Sequence, residues 1–369
     1  MTSLSALFPM LIFDSAIIIQ GGYKMAINTA VVGYGYAGRC FHSYLVGLAD
    51  GLNLYAISTR DPQRQANAKS DYPNVKIYPT IDELLNDDKV QLVVIATPHD
   101  SHAELAIKCM NAGRHVVVDK AMCMNTAEAD AMISASRKNN VLLSVFQNRR
   151  WDSDYLTVKK AIEDGLLGKV FLIQVAILGY GRPGGWRGIK KHVGGQIYDW
   201  GAHLVDQCLR LANSEVDTVF CDTHHIKWDI DIESHLNCIV KFKNGMSYGI
   251  ELSNICRIKK PRWFVLGDKG TLCKYGLDPQ EPAMVRGNID AAVYNPDERP
   301  KVITEIDGKV TEMTLDYIKG NWKAYYQNIA DVLLKGAELA VKPEEVRENM
   351  RLIDAIMESA EKGVSVKMK

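Results

Sequence analysis

The chain has 369 residues, too many for one ordinary core, and its 47% hydrophobic and 24% charged content is that of a globular protein. Forty-four Lys and Arg balance 44 Asp and Glu, so nothing in the charge points to nucleic acid or an anionic membrane as partner. The eight cysteines are scattered, with no CxxC pair and no Cys/His cluster at zinc spacing, which is expected of reduced thiols in a cytoplasmic protein without a metal site.

Leu7 to Ile19 is apolar, but it contains Pro9 and Asp14, has no basic stretch ahead of it and falls short of a membrane span. Gly21-Gly22 could be the translation of a purine-rich ribosome-binding site a few codons before Met25. Residues 1–24 are therefore expected to be a non-native leader or disordered, with Met25 as the start.

Ala30 to Val32 has strand character and runs straight into Gly33, Gly35 and Gly38 at GxGxxG spacing, and Ala37 to Leu48 then has helical periodicity. Gly33 permits the tight bend, Gly35 lets a pyrophosphate approach the backbone, and Gly38 lets helix pack on strand. Tyr36 and Ala37 complete the turn, at a helix N-terminus suited to phosphate. The competing reading is a plain glycine turn.

From 27 to 147 short apolar strands alternate with amphipathic helices: strands at Leu54 to Ser58, Val75 to Tyr78, Val90 to Ala96, His115 to Asp119 and Val141 to Phe146, helices at Asp82 to Asn86, His102 to Ala112 and Ala127 to Lys138. This predicts an N-terminal Rossmann domain over 25–148, a doubly wound parallel sheet whose ligands sit outside the carboxyl ends of the strands. Residues just after each strand therefore matter most. Ser58-Thr59-Arg60 offers small hydroxyls and a cation where an NAD-specific site would place an acid, so NADP(H) is favoured over NAD(H), with Asp61 as the counter-argument. Thr97 and Pro98 are expected on the cofactor, and His102 as packing on the cofactor side. Lys120, after the fifth strand and preceded by Asp119, is hard to explain as a solvated charge and is the first residue with chemical promise.

After Asn148 the pattern changes. A helix near Tyr155 to Glu163 precedes longer strands at Val170 to Leu178, Thr218 to Cys221, His235 to Phe242, Met246 to Leu252 and Trp263 to Leu266, with hairpin signals at Asn244-Gly245 and Asp307-Gly308. Residues 149–369 thus read as an α+β domain with a large, mainly antiparallel open sheet for substrate binding and oligomerisation. One face is covered by helices and the other is free for a second copy, so a homodimer or homotetramer is expected. Within it GGQIYDWGAHLVD, residues 194–206, enters a helix on which Asp199 and His203 share a face. A carboxylate four residues from a histidine can fix its tautomer and raise its pKa, and the glycines ahead let a loop lie close to a ligand. Residues 278–300 read as a long loop, a lid or an intersubunit arm. Helices at Trp322 to Lys335 and Pro343 to Glu361, which can pack back on the first domain, close the chain.

With GYGYAG at 33–38, TPHDSH at 97–102, DKA at 119–121, NRRWD at 148–152 and GGQIYDWGAHLVD at 194–206, the chain resembles the glucose-fructose oxidoreductase/inositol dehydrogenase (Gfo/Idh/MocA) family from residue 26 onward. STR at 58–60, NRRWDSDYLTVKK, and KYGLDPQE at 274–281 are most similar to its NADP-dependent scyllo-inositol dehydrogenase branch. The resemblance implies hydride exchange between nicotinamide and a ring carbinol or ketone of a sugar or cyclitol. Lys120 would contact nicotinamide and the reacting hydroxyl, His203 would be the general acid/base, and Asp199 would orient it or bind substrate. Arg149, Tyr180, Trp186 and Arg187 are expected to line the polyol pocket with Asp199 and His203, although arginines beside a tryptophan also suit an acidic sugar or a structural stack. Where the family reads Glu-Lys-Pro this chain has Asp119-Lys120-Ala121, and loss of the proline is expected to loosen Lys120. Two other readings compete: a cofactor-retaining, NAD-dependent glycosidase, and a non-catalytic NADP-binding sensor.

Overall fold

The computed structural model describes residues 26–368; the expected leader and the start at Met25 lie outside them. Six parallel strands form the first sheet: β1 (Ile27–Val32), β2 (Leu52–Ser58), β3 (Lys76–Tyr78), β4 (Leu92–Ile95), β5 (His115–Val118) and β6 (Leu143–Val145). Their spatial order is β3-β2-β1-β4-β5-β6, the doubly wound order whose direction reverses beside β1. All four residues of β4 are buried, as are three of the four in β5, because helices cover both faces. The reversal opens a crevice beyond the ends of β1 and β4. A ligand held there meets the residues that follow β1, β4 and β5.

The second sheet has nine strands: β7 (Val170–Leu178), β8 (Val216–His224), β9 (His235–Phe242), β10 (Ser247–Ser253), β11 (Trp263–Gly267), β12 (Gly270–Lys274), β13 (Lys301–Ile306), β14 (Lys309–Thr314) and β15 (Val366–Lys367). The order is β14-β13-β12-β11-β7-β10-β9-β8-β15, with β7 and β10 parallel and all other pairs antiparallel. The strand at Trp263 pairs with a further one, β12, and the Asp307-Gly308 signal sits at a true hairpin between β13 and β14. Burial alternates strictly along β9, whose inward Leu236, Cys238, Val240 and Phe242 pack under the helix Gln196–Ala212. The opposite face exposes Phe171, Phe220, Ile239 and Ile303.

The closing helix Pro343–Lys362 lies against the helix Thr126–Asn139, β6 and β8, so it touches both sheets. The preceding helix Lys323–Lys335 reaches the first domain through Tyr326, whose hydroxyl is 2.6 Å from His42 Nδ1. The stretch 278–300, expected as one long loop, contains the helical turns Gln280–Val285, Ile289–Ala291 and Pro296–Glu298. Among the described residues no helix is long and apolar enough to cross a membrane.

Arg150, just after β6, ties these parts together. Its Nε and Nη2 donate to the two carboxylate oxygens of buried Asp206 at 2.8 and 2.7 Å, and its Nη1 donates to the Ala340 carbonyl and to Glu345, both at 3.0 Å. Removing one partner of a buried pair leaves the other charge uncompensated. Arg150→Ala is expected to destabilise the protein by about 3 kcal/mol, near the low end for such losses because Arg210 remains close to Asp206. Urea unfolding followed by circular dichroism checks this.

Candidate active site

Two adjoining cavities lie where the two sheets meet. The first, about 250 Å³, is lined by Gly33, Gly35, Tyr36, Ala37, Arg64, Thr97, Pro98, His99 and Trp186 among others. The second, about 270 Å³, is lined by Phe41, Asn148, Arg149, Trp200, His203 and Glu281 among others. Tyr36, Ala37, Asp119, Lys120, Arg187 line both. Lys120 therefore stands at the junction, at the end of a strand from one domain and against a helix of the other.

The glycine turn has the three roles its spacing suggests. A Cβ on Gly33, at φ +92°, would lie 2.6 Å from the Ala96 carbonyl oxygen, and one on Gly38 would lie 1.9 Å from that of Gly33. Both positions are filled by the protein's own backbone. A Cβ on Gly35 would meet nothing nearer than Arg64 Nη1 at 3.8 Å. Space is left there, at a helix start, for a pyrophosphate to approach the chain. The residues present thus fit a dinucleotide.

Ser58 and Thr59 are buried at the end of β2, and Arg60 is exposed. Asp61 caps the helix Pro62–Asp71, accepting from the Gln63 and Arg64 backbone N–H groups. The cation that lines the crevice is Arg64, one turn into that helix, which inspection of the strand end alone misses. His102 does not line either cavity. Its two ring nitrogens lie 2.8 Å from the carbonyl oxygens of Ala121 and Thr97, so the ring braces the loops after β4 and β5 against each other from beneath. His99 is the histidine on the crevice wall. Burial pushes its imidazole down to about 3, and the ring packs edge-on to Trp186 with centroids 5.1 Å apart.

Lys120 is held firmly. Its ammonium donates to Asp199 Oδ1 at 2.7 Å and to the Asp199 carbonyl at 2.9 Å. The Lys120–Ala121 peptide bond is cis, Ala121 is buried, and its carbonyl is engaged by His102. The missing proline is expected to loosen Lys120; here its two hydrogen bonds to Asp199, from the other domain, hold the ammonium in place. Arg187 adds its Nε 3.4 Å from Asp199 Oδ2. Burial opposes ionisation of Asp199, but Lys120 and Arg187 outweigh it and hold the carboxyl down at about 2.

Asp199 and His203 do share a helix face, yet Asp199 does not orient the imidazole. Its carboxylate is committed to Lys120 and Arg187, and the partner of His203 Nδ1 is the Gln147 side-chain oxygen at 3.3 Å. An amide oxygen only accepts, which assigns the hydrogen to Nδ1 and leaves the lone pair on Nε2. Burial first, then Lys120 and Arg149, push the His203 pKa well below its ordinary value, so the ring is neutral at physiological pH. This reverses the expected rise, which assumed a carboxylate partner. Gln147 follows β6 directly, and the rule that post-strand residues face the ligand would have found it.

Arg149 is buried. It pairs with Asp152 at 3.1 Å and Glu281 at 2.7 Å, and its guanidinium lies over the rings of Trp200 and Trp322, 4.3 and 5.3 Å from their centroids. Tyr180 is elsewhere. It lines neither cavity and stacks at the surface with Arg257, 3.5 Å from the ring centroid, and with Trp228. Of residues 179–195 only Trp186 and Arg187 line the cavities.

The GFO_IDH_MocA family, described as an oxidoreductase family with an NAD-binding Rossmann fold, matches residues 27–147, and the GFO/IDH/MocA C-terminal domain matches residues 155–273. The chain is 32% identical to scyllo-inositol 2-dehydrogenase (NADP(+)) IolW of Bacillus subtilis, over 93% of this chain and 96% of that protein. It is 30% identical to myo-inositol 2-dehydrogenase of Thermotoga maritima over 53% of this chain and 58% of that one. The solved oxidoreductase yvaA from Bacillus subtilis superposes with a TM-score of 0.88 at 28% identity, covering 95% of this chain and 100% of that one.

Gly35→Ala tests the crevice without disturbing the fold. The added methyl enters space the protein does not occupy, so unfolding stability is expected to change by less than about 1 kcal/mol while affinity for a reduced nicotinamide dinucleotide, read by nucleotide fluorescence, falls at least tenfold, about 1.4 kcal/mol.

Proposed function

Because the chain belongs to the Gfo/Idh/MocA oxidoreductase family and is an NAD(P)-dependent dehydrogenase acting on CH–OH groups, we propose that it uses NADP(H) on a neutral ring polyol, an inositol or similar cyclitol or sugar. The observation that carries this reading is the charge pairing in the second cavity. In the second cavity Lys120, Arg149 and Arg187 are matched by Asp119, Asp199 and Glu281, three cations against three carboxylates, so the wall has no surplus of positive charge to offer an acidic sugar. It presents instead many donors and acceptors at fixed positions, which suit hydroxyl groups. The relatives named above carry scyllo-inositol and myo-inositol in their names, and both are neutral ring polyols.

A bound nicotinamide would exchange the hydride with a ring carbon at the junction of the cavities. His203 takes the hydroxyl proton on Nε2 during oxidation and returns it during reduction. The Lys120 ammonium, held in place by Asp199, stabilises negative charge on the reacting oxygen. Gln147 holds the imidazole in the tautomer that leaves Nε2 free. His203→Ala is expected to leave NADPH affinity within about twofold and to cut kcat at least roughly a hundredfold. Because the histidine's folded pKa is depressed, its base form persists below the ordinary value. The oxidation rate is expected to hold from about pH 8 to about pH 6, with no inflection near the ordinary imidazole pKa in a stopped-flow pH profile.

The preference for NADP(H) rests on Arg64, which lines the crevice, with Arg60 exposed four residues before it and Asp61 engaged as a helix cap. Arg64→Ala is expected to weaken NADPH binding about tenfold and NADH binding less than twofold. Equal loss for the two nucleotides would place Arg64 on the shared pyrophosphate instead. We also propose that copies pair through the sheet face carrying Phe171, Phe220, Ile239 and Ile303, giving a homodimer or homotetramer in the cytoplasm.

A further inference from the structure

Glu281 comes from far along the chain, in the first turn of the helix Gln280–Val285, and it reaches the wall of the second cavity. Two contacts aim it. Its Oε2 accepts from Arg149 Nη2 at 2.7 Å, and its Oε1 accepts from the Tyr36 hydroxyl at 3.2 Å. Its side chain keeps 28% of its surface exposed. Its base is anchored as well: neighbouring Gln280 is buried, donates to the Trp151 carbonyl at 3.2 Å and accepts from the Trp322 N–H at 2.9 Å, while Asp278 accepts from the Ser153 N–H at 2.7 Å. A surface loop does not need such bolting. A carboxylate that must stand at a fixed place does.

Each carboxylate oxygen can accept about two hydrogen bonds. One contact per oxygen is used by the protein, so each oxygen retains acceptor capacity on the cavity side. The other carboxylates of this wall lie near the reacting centre: Asp199 is taken by Lys120 and Arg187, and Asp119 accepts from the Lys120 N–H at 2.8 Å. Glu281 is anchored through Tyr36 and Arg149 instead, away from that pair of cations.

We propose that Glu281 is a specificity-determining residue that accepts a hydrogen bond from a hydroxyl of the polyol other than the one being oxidised, with Arg149 and Tyr36 as the positioning residues that hold it. The role rests on the dehydrogenase reading above. It also makes Tyr36 a link, because that residue belongs to the glycine turn that would hold the pyrophosphate and at the same time steadies the carboxylate over the polyol. A site built to receive a hydroxyl rejects the analogue that lacks it, because the acceptor is then left unmatched.

The test compares kcat/KM for an inositol that the wild-type enzyme turns over with kcat/KM for its monodeoxy analogues, in the wild type and in Glu281→Gln and Glu281→Asp, with NADPH titration and circular dichroism as checks of folding. For at least one analogue the wild-type preference for the parent is expected to be tenfold or more and to fall below threefold in Glu281→Gln, with the Kd for NADPH from the titration changed less than twofold. Glu281→Asp, which keeps the charge on a shorter arm, is expected to retain part of the preference. If Glu281 served only to buttress Arg149, both substrates would lose equally and every preference ratio would stay at its wild-type value; that result overturns the proposal. Wild-type protein that binds NADPH but turns over no polyol at all would overturn the dehydrogenase reading itself, and this role with it.

Discussion

The ion pair between Lys120 and Asp199 is the contact on which the site depends. Lys120 hangs from the end of β5 in the parallel sheet, and Asp199 sits in the first turn of the helix Gln196–Ala212 that covers the second sheet. Neither charge is free in solvent, since their side chains are only 14% and 23% exposed. In such surroundings a carboxylate without a cation beside it would tend to gain a proton, and Lys120 and Arg187 hold Asp199 ionised. Lys120 can act on Asp199 only while the two domains stay docked. The electrostatics of the reacting centre are thus a property of the interface between domains.

The same dependence explains His203. Burial and the cations of Lys120 and Arg149 keep its ring neutral, and Gln147 settles which nitrogen carries the hydrogen. A carboxylate at the position of Gln147 would favour the imidazolium and spoil the ring as a proton acceptor at neutral pH. The amide orients without adding charge. Docking is secured elsewhere, by Arg150 with Asp206 and Glu345 and by the closing helix Pro343–Lys362 packed across both sheets.

What could be read from the chain follows the reach of the forces involved. The glycine turn, the parallel order and the helix carrying Asp199 and His203 are local or nearly so: backbone freedom at Gly33, strand-helix alternation and a four-residue spacing all act within a few tens of residues. Spacing on a helix sets a shared face but says nothing about which partners arrive there. Asp199 is claimed by Lys120, 79 positions away, and so the expected pair with His203 does not form. Glu281 meets Tyr36 across 245 positions, and although it closes the KYGLDPQE stretch at 274–281, nothing local in that stretch gives its partners. Tyr180 and Arg187 lie within one short segment, yet a turn at the strand end sends one to the surface and the other to the cavity. His102 and His99 show the same ambiguity after β4.

Compensated charge also decides how the cavity can discriminate. A wall with a surplus of cations would select by long-range attraction, which any anion of suitable size satisfies. Here the cations are spent on carboxylates, so recognition falls to hydrogen bonds whose directions are set by fixed groups. Those groups are fixed because each is also part of a buried pair: Arg149 by Asp152 and Glu281, Asp199 by Lys120 and Arg187. Stereoisomers of a cyclitol have equal charge and nearly equal volume, and differ only in where their hydroxyls point. A site of paired, immobile charges can tell them apart because moving any one acceptor would break an ion pair behind it.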